Sequence, residues 1–293
     1  MNRSRLTTVA PPAARALARR EFLRKACLGL AAIPLISACD STSASGVDGA
    51  PGGPDGATGP DAKRVDGGLS GGWATGGTAS MTGKASYPDP FTGALSACAL
   101  VATTTEGPCT TTSDLAREDV SESWTGLPVR LGFKVVDSSC NPVAGAIIKI
   151  WHTNLAGVYS GNTPNPGMCS NNDAAAIAAN WFRGVQTTSS AGIAYFDTCF
   201  PGWYNGRAVH IHFQVKSGTT SYKVSQVFFP EDVTADIFAN HSEYSGSGQP
   251  NTTFASDNVY GAIPTGTRAL HILDVAQMSD GAMLASKVVT VTS

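Results

Sequence analysis

The chain is organised around the stretch Pro201-Gly202-Trp203-Tyr204-Asn205-Gly206-Arg207-Ala208-Val209-His210-Ile211-His212-Phe213. It passes from a loop punctuated by proline and glycine into an apolar, β-branched segment that predicts a strand. Side chains of a strand alternate between two faces, so His210 and His212 are expected on one face, where both imidazoles can bind one metal ion. A His-x-His pair alone more often indicates two polar residues on the solvent side of a half-buried strand. The metal interpretation therefore depends on support from elsewhere in the chain.

Around this strand, residues 87–293 predict one β-rich domain. Short apolar segments are separated by clusters of Gly, Ser, Asn and Pro, a pattern that favours a sandwich or a barrel over an α/β fold. We therefore predict an all-β fold, an antiparallel β-sandwich with long functional loops and few short helices. The predicted strands cover residues 129–136, 146–151, 192–196, 208–215, 222–229, 268–275 and 287–291.

Two short helices and two long loops interrupt the predicted strands. Asp173 is a candidate N-cap for a helix over residues 173–181. A second helix, over residues 230–239, carries two acids in its first turn, where the helix dipole favours them. The loops over residues 153–181 and 240–263 are long for a compact sandwich, and we expect loops of that length to carry function.

Residues 1–38 predict a targeting signal. Arg19-Arg20-Glu21-Phe22-Leu23-Arg24 is a twin-arginine pattern, an apolar segment follows at residues 26–36, and Ile36-Ser37-Ala38-Cys39 resembles a bacterial lipobox. We therefore expect an exported bacterial lipoprotein of the cell envelope, on the periplasmic or cell-surface side, with its only membrane attachment through a lipid on Cys39. A short buried helix that begins with paired arginines is the competing interpretation.

Composition separates a tether from the domain and limits the partners of the chain. Residues 39–86 consist largely of Gly, Pro, Ser, Thr, Ala and Asp, so too little apolar surface is present to offset the entropy of ordering them, and a flexible tether is predicted. The charged fraction of 14% and the net charge of −2 argue against nucleic-acid binding. No apolar run reaches the roughly 20 residues that a membrane span needs.

Five cysteines lie in the predicted domain, once Cys27 in the signal and Cys39 at the lipid site are set aside. Because five is odd, at most two disulfides form within the chain and one thiol is left over. An exported compartment permits disulfides. No Cys-x-x-Cys spacing is present, which argues against a structural zinc site. The five are Cys98, Cys109, Cys140, Cys169 and Cys199.

A second informative stretch, Ile150-Trp151-His152-Thr153-Asn154-Leu155-Ala156-Gly157-Val158-Tyr159-Ser160, closes a predicted core strand with a loop that carries Tyr159. With Tyr204, His210 and His212 it supplies two phenols and two imidazoles. Imidazole suits many transition metals, whereas phenolate oxygen favours a hard, highly charged ion such as ferric iron. Near such a cation, a tyrosine with an ordinary pKa near ~10 can bind as the phenolate at neutral pH. Each tyrosine alone would more often be a half-buried aromatic residue with a satisfied hydroxyl.

Both stretches resemble the intradiol ring-cleavage dioxygenases, non-haem iron(III) enzymes that include protocatechuate 3,4-dioxygenase and catechol 1,2-dioxygenase. The Trp-His…Gly-x-Tyr and Gly-Trp-Tyr-x-Gly-Arg-x-x-His-x-His patterns are highly specific in combination. Matching segments follow the family's order from about residue 96 to residue 229. They are Thr105-Glu106-Gly107-Pro108, residues 137–142, residues 150–160, Phe182-Arg183-Gly184-Val185-Gln186-Thr187-Thr188, residues 201–213 and Ser225-Gln226-Val227-Phe228-Phe229.

The resemblance implies a ferric centre and a ring-cleaving reaction. A small catechol-type aromatic diol would react with O₂ to give a cis,cis-muconate-type diacid, with Fe(III) as the cofactor. Tyr204 corresponds to the tyrosine that leaves the iron and takes up a substrate proton. Arg207 resembles the arginine that stabilises charge developing on the ring, and Gln226 resembles the glutamine that lines the cavity. The implied iron ligands are Tyr159, Tyr204, His210 and His212, whereas His152, His241 and His271 are expected to be structural or surface residues.

Two cysteines depart from the family pattern. Cys109 stands where family members commonly have an aromatic residue near the substrate pocket, and Cys199 stands just before Pro201, where an apolar residue is usual. From these departures we expect Cys109 and Cys199 to approach each other near the cavity, with Cys98 and Cys140 as the other pair.

Two other classes of protein compete with this interpretation. One is a non-catalytic β-sandwich at the cell surface that binds a phenolic compound, a sugar or a protein partner. The other is a mononuclear enzyme with a different metal, such as Cu or Fe(II). Phe213-Gln214-Val215-Lys216 lacks the glutamate that a cupin-type site needs after His-x-His, and no obvious carboxylate completes a two-histidine, one-carboxylate site.

Overall fold

The computed structural model describes residues 72–93, 95, 98–217 and 220–292. The predicted signal at residues 1–38, the lipid site at Cys39 and the first part of the predicted tether lie outside the described residues. Within the described part of the chain, no helix is both long enough and apolar enough to cross a membrane.

Eight strands of the described residues form two sheets of four strands each. Sheet one contains, in spatial order, β4 (Ile193–Cys199), β1 (Pro128–Val136), β8 (Met283–Thr290) and β7 (Asp274–Gln277). Sheet two contains β3 (Arg183–Thr187), β2 (Ile147–Trp151), β5 (His210–Ser217) and β6 (Thr220–Phe228). The predicted β-rich fold is thus confirmed.

The helices are few and short, as predicted. The α-helices are α1 (Pro166–Cys169), α2 (Ala174–Ala178), α3 (Glu231–Asn240) and α4 (Asn258–Ala262), and short 3₁₀ helices cover Thr78–Ser80, Lys84–Ser86, Ser245–Ser247 and Thr265–His271. Asp173 caps α2 by accepting a hydrogen bond from the backbone nitrogen of Ala175 at 2.9 Å, which confirms the predicted cap. The helix predicted near residue 230 is α3, and Glu231 and Asp232 lie in its first turn.

Alternate residues of the strands from both sheets form one hydrophobic core. The ring of Phe133 in β1 lies 5.4 Å from the ring of Phe213 in β5, so the core joins the two sheets. In β5 the buried core residues are Ile211, Phe213 and Val215, and in β2 they are Ile148 and Ile150. His210, His212 and Trp151 therefore occupy the other face of sheet two, because successive strand side chains point to opposite faces.

Three details of the predicted strands are corrected by the structure. The prediction of purely antiparallel sheets is wrong at β1 and β8, which pair in parallel from Val129 with Met283 to Val136 with Thr290. Residues 183–187 form β3, which no strand prediction covered, and residues 268–271 belong to a 3₁₀ helix instead of a strand. Strand direction and these boundaries depend on neighbours distant in sequence, which a local pattern does not contain.

Residues 72–86, which the composition assigned to the tether, instead pack against the domain. Trp73 contacts the main hydrophobic core, and Met81 is buried. The backbone nitrogen of Gly77 donates to the carbonyl of Gly126 at 2.8 Å. Gly77 has a φ of +76°, and a Cβ there would lie 2.1 Å from the carbonyl oxygen of Trp124, so only glycine permits this approach. The average composition of the segment did not indicate this packing, because it depends on only two apolar side chains, Trp73 and Met81.

The structure confirms one predicted disulfide and corrects the other. Cys98 pairs with Cys140, as expected. Cys109 pairs with Cys169, so the expected approach of Cys109 to Cys199 is wrong. Cys199 is a free, buried thiol at the end of β4 that packs in an apolar cluster with Trp181. The loop after β2 turns back toward the segment of Cys109, and this reversal could not be read from the cysteine spacing.

Candidate metal centre

Strand β5 places two imidazoles on the face of sheet two that points away from the core. His210 and His212 are 4% and 3% exposed, so this face is covered by loops instead of solvent. His212 lies between Trp151 of β2 and Gln226 of β6 in the strand register. The rings of Trp151 and His212 stack, with centroids 5.0 Å apart and planes 10° from parallel. The alternative that His210 and His212 are solvent-exposed polar residues of a half-buried strand is therefore excluded.

Three donor atoms surround Nε2 of His210, which is itself the fourth donor of the cluster. Nε2 of His212 lies 3.1 Å away, and the phenol oxygens of Tyr159 and Tyr204 each lie 3.3 Å away. Ligand atoms that each sit at ~2.1 Å from one ion are separated by about 3 Å, which matches these spacings. All four residues predicted as metal ligands are thus brought together, and their arrangement fits a single ion.

The hydrogen bonds of His210 fix which of its nitrogens is available. Nδ1 lies 2.7 Å from the carbonyl oxygen of Ala208, and a carbonyl only accepts, so Nδ1 carries the hydrogen. Nε2 then presents its lone pair to the three other donors. His212 faces the same point with Nε2, and its Nδ1 has no hydrogen-bond partner among the described residues.

Two tight loops bring the tyrosines to the histidines. The side chain of Asn154 accepts hydrogen bonds from the backbone nitrogens of Ala156 and Val158, which shapes the turn before Tyr159. Gly157 has a φ of +74°, and a Cβ there would lie 2.2 Å from the carbonyl oxygen of Trp203. A glycine is required at this contact, because it lets the Tyr159 loop touch the loop that carries Tyr204.

Burial sets the protonation state of the donors. It raises the pKa of Tyr159 well above 10, with the neighbouring Tyr204 as a further cause, and it also raises the pKa of Tyr204. It lowers the pKa of His210 to about 3, assisted by Arg207, and it lowers the pKa of His212 well below 6.5. Without a cation, all four groups are neutral at pH 7. A strongly Lewis-acidic ion is needed to bind the tyrosines as phenolates.

Arg207 is held beside this cluster by three contacts. Its Nε donates to Oδ2 of Asp257 at 3.0 Å, its Nη2 donates to the side-chain oxygen of Gln226, and its Nη1 lies 3.5 Å from the phenol oxygen of Tyr204. The amide nitrogen of Gln226 donates in turn to the carbonyl of Thr105 at 3.0 Å. Both ends of the Gln226 amide are therefore occupied by the protein, and Gln226 orients Arg207.

Asp257 is the site residue that sequence reasoning missed. Its carboxylate also accepts from the backbone nitrogen of Ala208 at 2.8 Å, and it caps α4 through the backbone nitrogen of Val259 at 2.7 Å. Burial opposes its ionisation, yet hydrogen bonds from the backbone of Tyr260 and the charge of Arg207 bring the pKa of Asp257 below its usual value. Asp257 lies in the long loop over residues 240–263, whose length was the only available signal.

The remaining predicted residues have structural positions. His152 is buried, with Nε2 at 2.7 Å from the hydroxyl of Thr198, and His271 is buried with Nδ1 at 3.0 Å from the carbonyl of Gln226. His241 is 5% exposed and contacts the carbonyl of Ala74 through Nε2 at 2.9 Å. These three histidines are therefore structural, and none is a surface residue.

The described residues offer no metal site built on carboxylates. Among residues 72–93, 95, 98–217 and 220–292, no group of three or more His, Cys, Asp or Glu side chains is arranged to hold a metal ion. A two-histidine, one-carboxylate site is thereby excluded within this part of the chain. A metal at His210 and His212 requires the two phenols as its other protein ligands.

Part of the sequence matches a dioxygenase family model, and dioxygenases of known structure have a similar fold. Residues 104–244 match the dioxygenase family model. An intradiol ring-cleavage dioxygenase from Tetranychus urticae is similar at 23% identity and a TM-score of 0.58, over 67% of this chain and 95% of that chain. The crystal structure of a second dioxygenase is similar at 24% identity and a TM-score of 0.59, again over 67% and 95% of the two chains. No curated protein matches the sequence.

Residues 104–244 therefore match the dioxygenase family model, and the fold of the chain is that of intradiol ring-cleavage dioxygenases, as the resemblance predicted. The family match contains both histidines, both tyrosines, Arg207 and Gln226. Asp257 lies beyond the matched residues, so its contact with Arg207 is a feature that only the structure of this chain reveals.

Proposed function

We propose that the chain binds ferric iron through Tyr159, Tyr204, His210 and His212 and cleaves a catechol-type aromatic diol with O₂ between the two hydroxyl-bearing carbons. The product is a cis,cis-muconate-type diacid. The convergence of two phenol oxygens and two imidazole nitrogens on one buried point carries this proposal. The dioxygenase family match supports the class of reaction.

The donor set selects the ion. Two phenolates and two neutral imidazoles compensate two positive charges, and hard oxygen donors favour a small, highly charged ion. When bound, Fe(III) supplies a Lewis acid and a template for a bidentate diolate. The protein surrounds this point with low-exposure side chains, which keep water away from the reacting ring.

The two tyrosines are suited to different tasks. Tyr159 is 3% exposed and packs in a buried cluster with Trp151, so it is a fixed ligand. Tyr204 is only partly buried and lies beside Arg207, so it has room to move and a cation that favours its phenolate. Of the two ligands, Tyr204 would be the one free to give way to the diol, and its Oη could take up a substrate proton, as the resemblance implies.

Arg207 supplies preorganised positive charge. Its guanidinium is held from one side by Asp257 and from the other by Gln226, and it points toward the oxygen of Tyr204. A cation fixed before the reaction stabilises negative charge on the diol without reorganising during it. In this arrangement Arg207 contacts the reacting ring, whereas Gln226 and Asp257 position Arg207.

We further propose that the two sheets pack as a sandwich and that the protein is exported to the cell envelope. The contact between Phe133 and Phe213 supports a face-to-face sandwich of the two sheets. The twin-arginine pattern and the lipobox-like sequence before Cys39 support export as a lipoprotein of the cell envelope. Two disulfides in the domain agree with an oxidising compartment.

Oxygen uptake tests the reaction directly. Protein reconstituted with iron is supplied with catechol, protocatechuate, hydroxyquinol or caffeate, and the products are identified by mass spectrometry. The expected results are a burgundy protein, from charge transfer between tyrosinate and Fe(III), and a ring-opened diacid from at least one diol. Colourless protein that takes up no iron would contradict the whole proposal. Coloured protein that converts no diol would support the ferric site and contradict the proposed reaction.

A further inference from the structure

The Cys109–Cys169 disulfide lies against the metal centre. Cys109 and Cys169 are 6% and 2% exposed, and both belong to a buried cluster with Trp151 and Tyr159. Trp151 stacks on His212, and Tyr159 is a proposed ligand, so the disulfide shares its cluster with one ligand and with the ring that supports another. Tyr204 also packs against this cluster.

The disulfide joins two segments that sheet hydrogen bonds do not secure. Cys109 follows a segment that crosses the site, because the carbonyl of Thr105 accepts from Gln226, and a Cβ on Gly107 would lie 3.4 Å from Cε1 of His212. Cys169 ends α1, a helix of four residues in the loop after β2. Neither segment belongs to a strand, so neither is held by a ladder of backbone hydrogen bonds.

Tyr159 is linked to Cys169 through the backbone. The nitrogen of Tyr159 donates to the carbonyl of Cys169 at 2.8 Å, so a shift of Cys169 is passed directly to the ligand. Arg183 provides a second connection between the same segments, since it donates to the carbonyl of Cys109 at 2.7 Å and to the carbonyl of Ser160 at 3.0 Å. Opening the disulfide therefore loosens the Tyr159 loop without releasing it.

We propose that the Cys109–Cys169 disulfide is a positioning device for the metal centre, which holds the Tyr159 loop so that the phenol meets the imidazoles. The inference rests on the proposed ferric site. Supporting groups outside the ligand set commonly change metal affinity 10–100-fold, and because Arg183 remains in place we expect the lower end, about a tenfold loss on opening the disulfide.

Cys98–Cys140 is a matched control. It closes a loop with a sequence separation of 42, against 60 for Cys109–Cys169, and loop-closure entropy depends only on the logarithm of that length. The two disulfides are therefore expected to stabilise the fold to a similar degree. Cys140 lies in the turn between β1 and β2, whereas Trp151 is the last residue of β2, so this disulfide is at the far end of that strand from the site.

The first experiment uses the unaltered full chain and the reciprocity of coupled equilibria. If the disulfide favours metal binding, bound metal must disfavour its reduction by the same factor. Reduction consumes two glutathione thiols and yields two cysteine thiols and one glutathione disulfide. Ga(III) serves as the probe because thiols do not reduce it, as they would Fe(III), and alkylation followed by mass spectrometry of the peptides reports each cysteine pair separately.

The quantity measured is the ratio [GSH]²/[GSSG] at which half of a disulfide is reduced. Bound Ga(III) should raise this ratio about tenfold for Cys109–Cys169 and leave it unchanged for Cys98–Cys140. Equal shifts of both disulfides, or no shift of either, would overturn the inference while leaving the metal site intact. If equilibrium dialysis shows that the wild-type chain binds neither Ga(III) nor Fe(III), the proposed ferric site itself is wrong.

A second experiment compares the variants C109A/C169A and C98A/C140A. Iron transfer to a competing chelator is followed by the loss of the visible charge-transfer band. We expect half-transfer at about tenfold less chelator for C109A/C169A, and at the wild-type chelator concentration for C98A/C140A. Equal behaviour of the two variants contradicts the inference. If C109A/C169A does not fold, the glutathione experiment decides, because it needs no variant.

Discussion

The two faces of sheet two are made from alternate residues of the same strands, yet they depend on different physics. The inner face, with Ile211 and Phe213, packs into a hydrophobic core that is stabilised by buried area and dispersion. The outer face, with His210 and His212, depends on the positions of a few polar atoms. The inner face is expected to tolerate changes of shape that keep its volume, whereas the outer face is sensitive to the loss of a single atom.

The sharpest contrast is between His210→Ala and Ile211→Val, since the two residues are neighbours on opposite faces. His210→Ala should lose the iron, its colour and its activity, a fall of roughly 10³-fold or more because the Lewis acid is gone. Ile211→Val should lower the free energy of unfolding by about 1 kcal/mol and leave iron content and turnover unchanged. Metal analysis, urea unfolding and oxygen uptake measure the three quantities. Retention of full colour in His210→Ala would show that the ligand assignment is wrong.

The next largest effect is expected for Tyr159→Phe. Removing the phenol oxygen deletes a ligand but little volume, so the fold should persist. Because supporting groups alone change metal affinity 10–100-fold, loss of a ligand should weaken iron binding at least roughly 100-fold and shift or abolish the visible band. Tyr195→Phe is the control, because Tyr195 lies on β4 of the other sheet. An unchanged spectrum of iron-loaded Tyr159→Phe would remove this residue from the ligand set.

A smaller effect is expected when Arg207 loses its carboxylate partner. Asp257→Asn keeps a good N-cap for α4 but removes the charge-assisted contact with Arg207. We expect kcat to fall about tenfold, with KM changing less, because a less well-fixed cation stabilises the developing charge poorly. Asp173→Asn changes the N-cap of α2 in the same way and should leave kcat unchanged. A tenfold loss in both variants would point to stability alone.

The smallest predicted effect is the pH dependence of the metal-free protein. Burial lowers the pKa of His152 and of His210 to about 3. The unfolded chain binds these protons near pH ~6.5, so stability is full above that value and declines as the pH falls toward 3. Each histidine should cost about 1 kcal/mol between pH 6.5 and 5.5. Urea unfolding at both pH values measures the slope, which His152→Gln should make shallower. A flat profile over this range would show that the imidazoles take up protons in the fold as readily as in the unfolded chain.

The proposed export and the proposed role of the Cys109–Cys169 disulfide together predict where iron is bound most tightly. Twin-arginine export moves folded proteins, which suits a chain that acquires its metal before leaving the cytoplasm. If Cys109–Cys169 must be closed for tight binding, iron is held more weakly in a reducing compartment and more firmly after export. Iron retention is measured under reducing and under oxidising conditions. Equal retention would indicate tight binding already before export, whereas weaker retention under reducing conditions would indicate tight binding only after it.

Much of the centre could be predicted from sequence. His210 and His212 share a face because strand periodicity is local, and Tyr204 and Arg207 precede them in one continuous stretch. Tyr159 could be assigned only through the resemblance to the dioxygenases, since nothing in its own neighbourhood marks it as a ligand. Asp257 was missed because it reaches Arg207 from 50 residues further along the chain.

The β-rich class of the fold and the shared face of the two histidines follow from the sequence, because strand periodicity is a local property. The tertiary structure alone decided that Cys109 pairs with Cys169, that β8 runs parallel to β1, that Asp257 positions Arg207 and that residues 72–86 pack on the domain. Each of these joins residues far apart in the chain, and such contacts are selected by the packing of the whole domain, which no local pattern encodes.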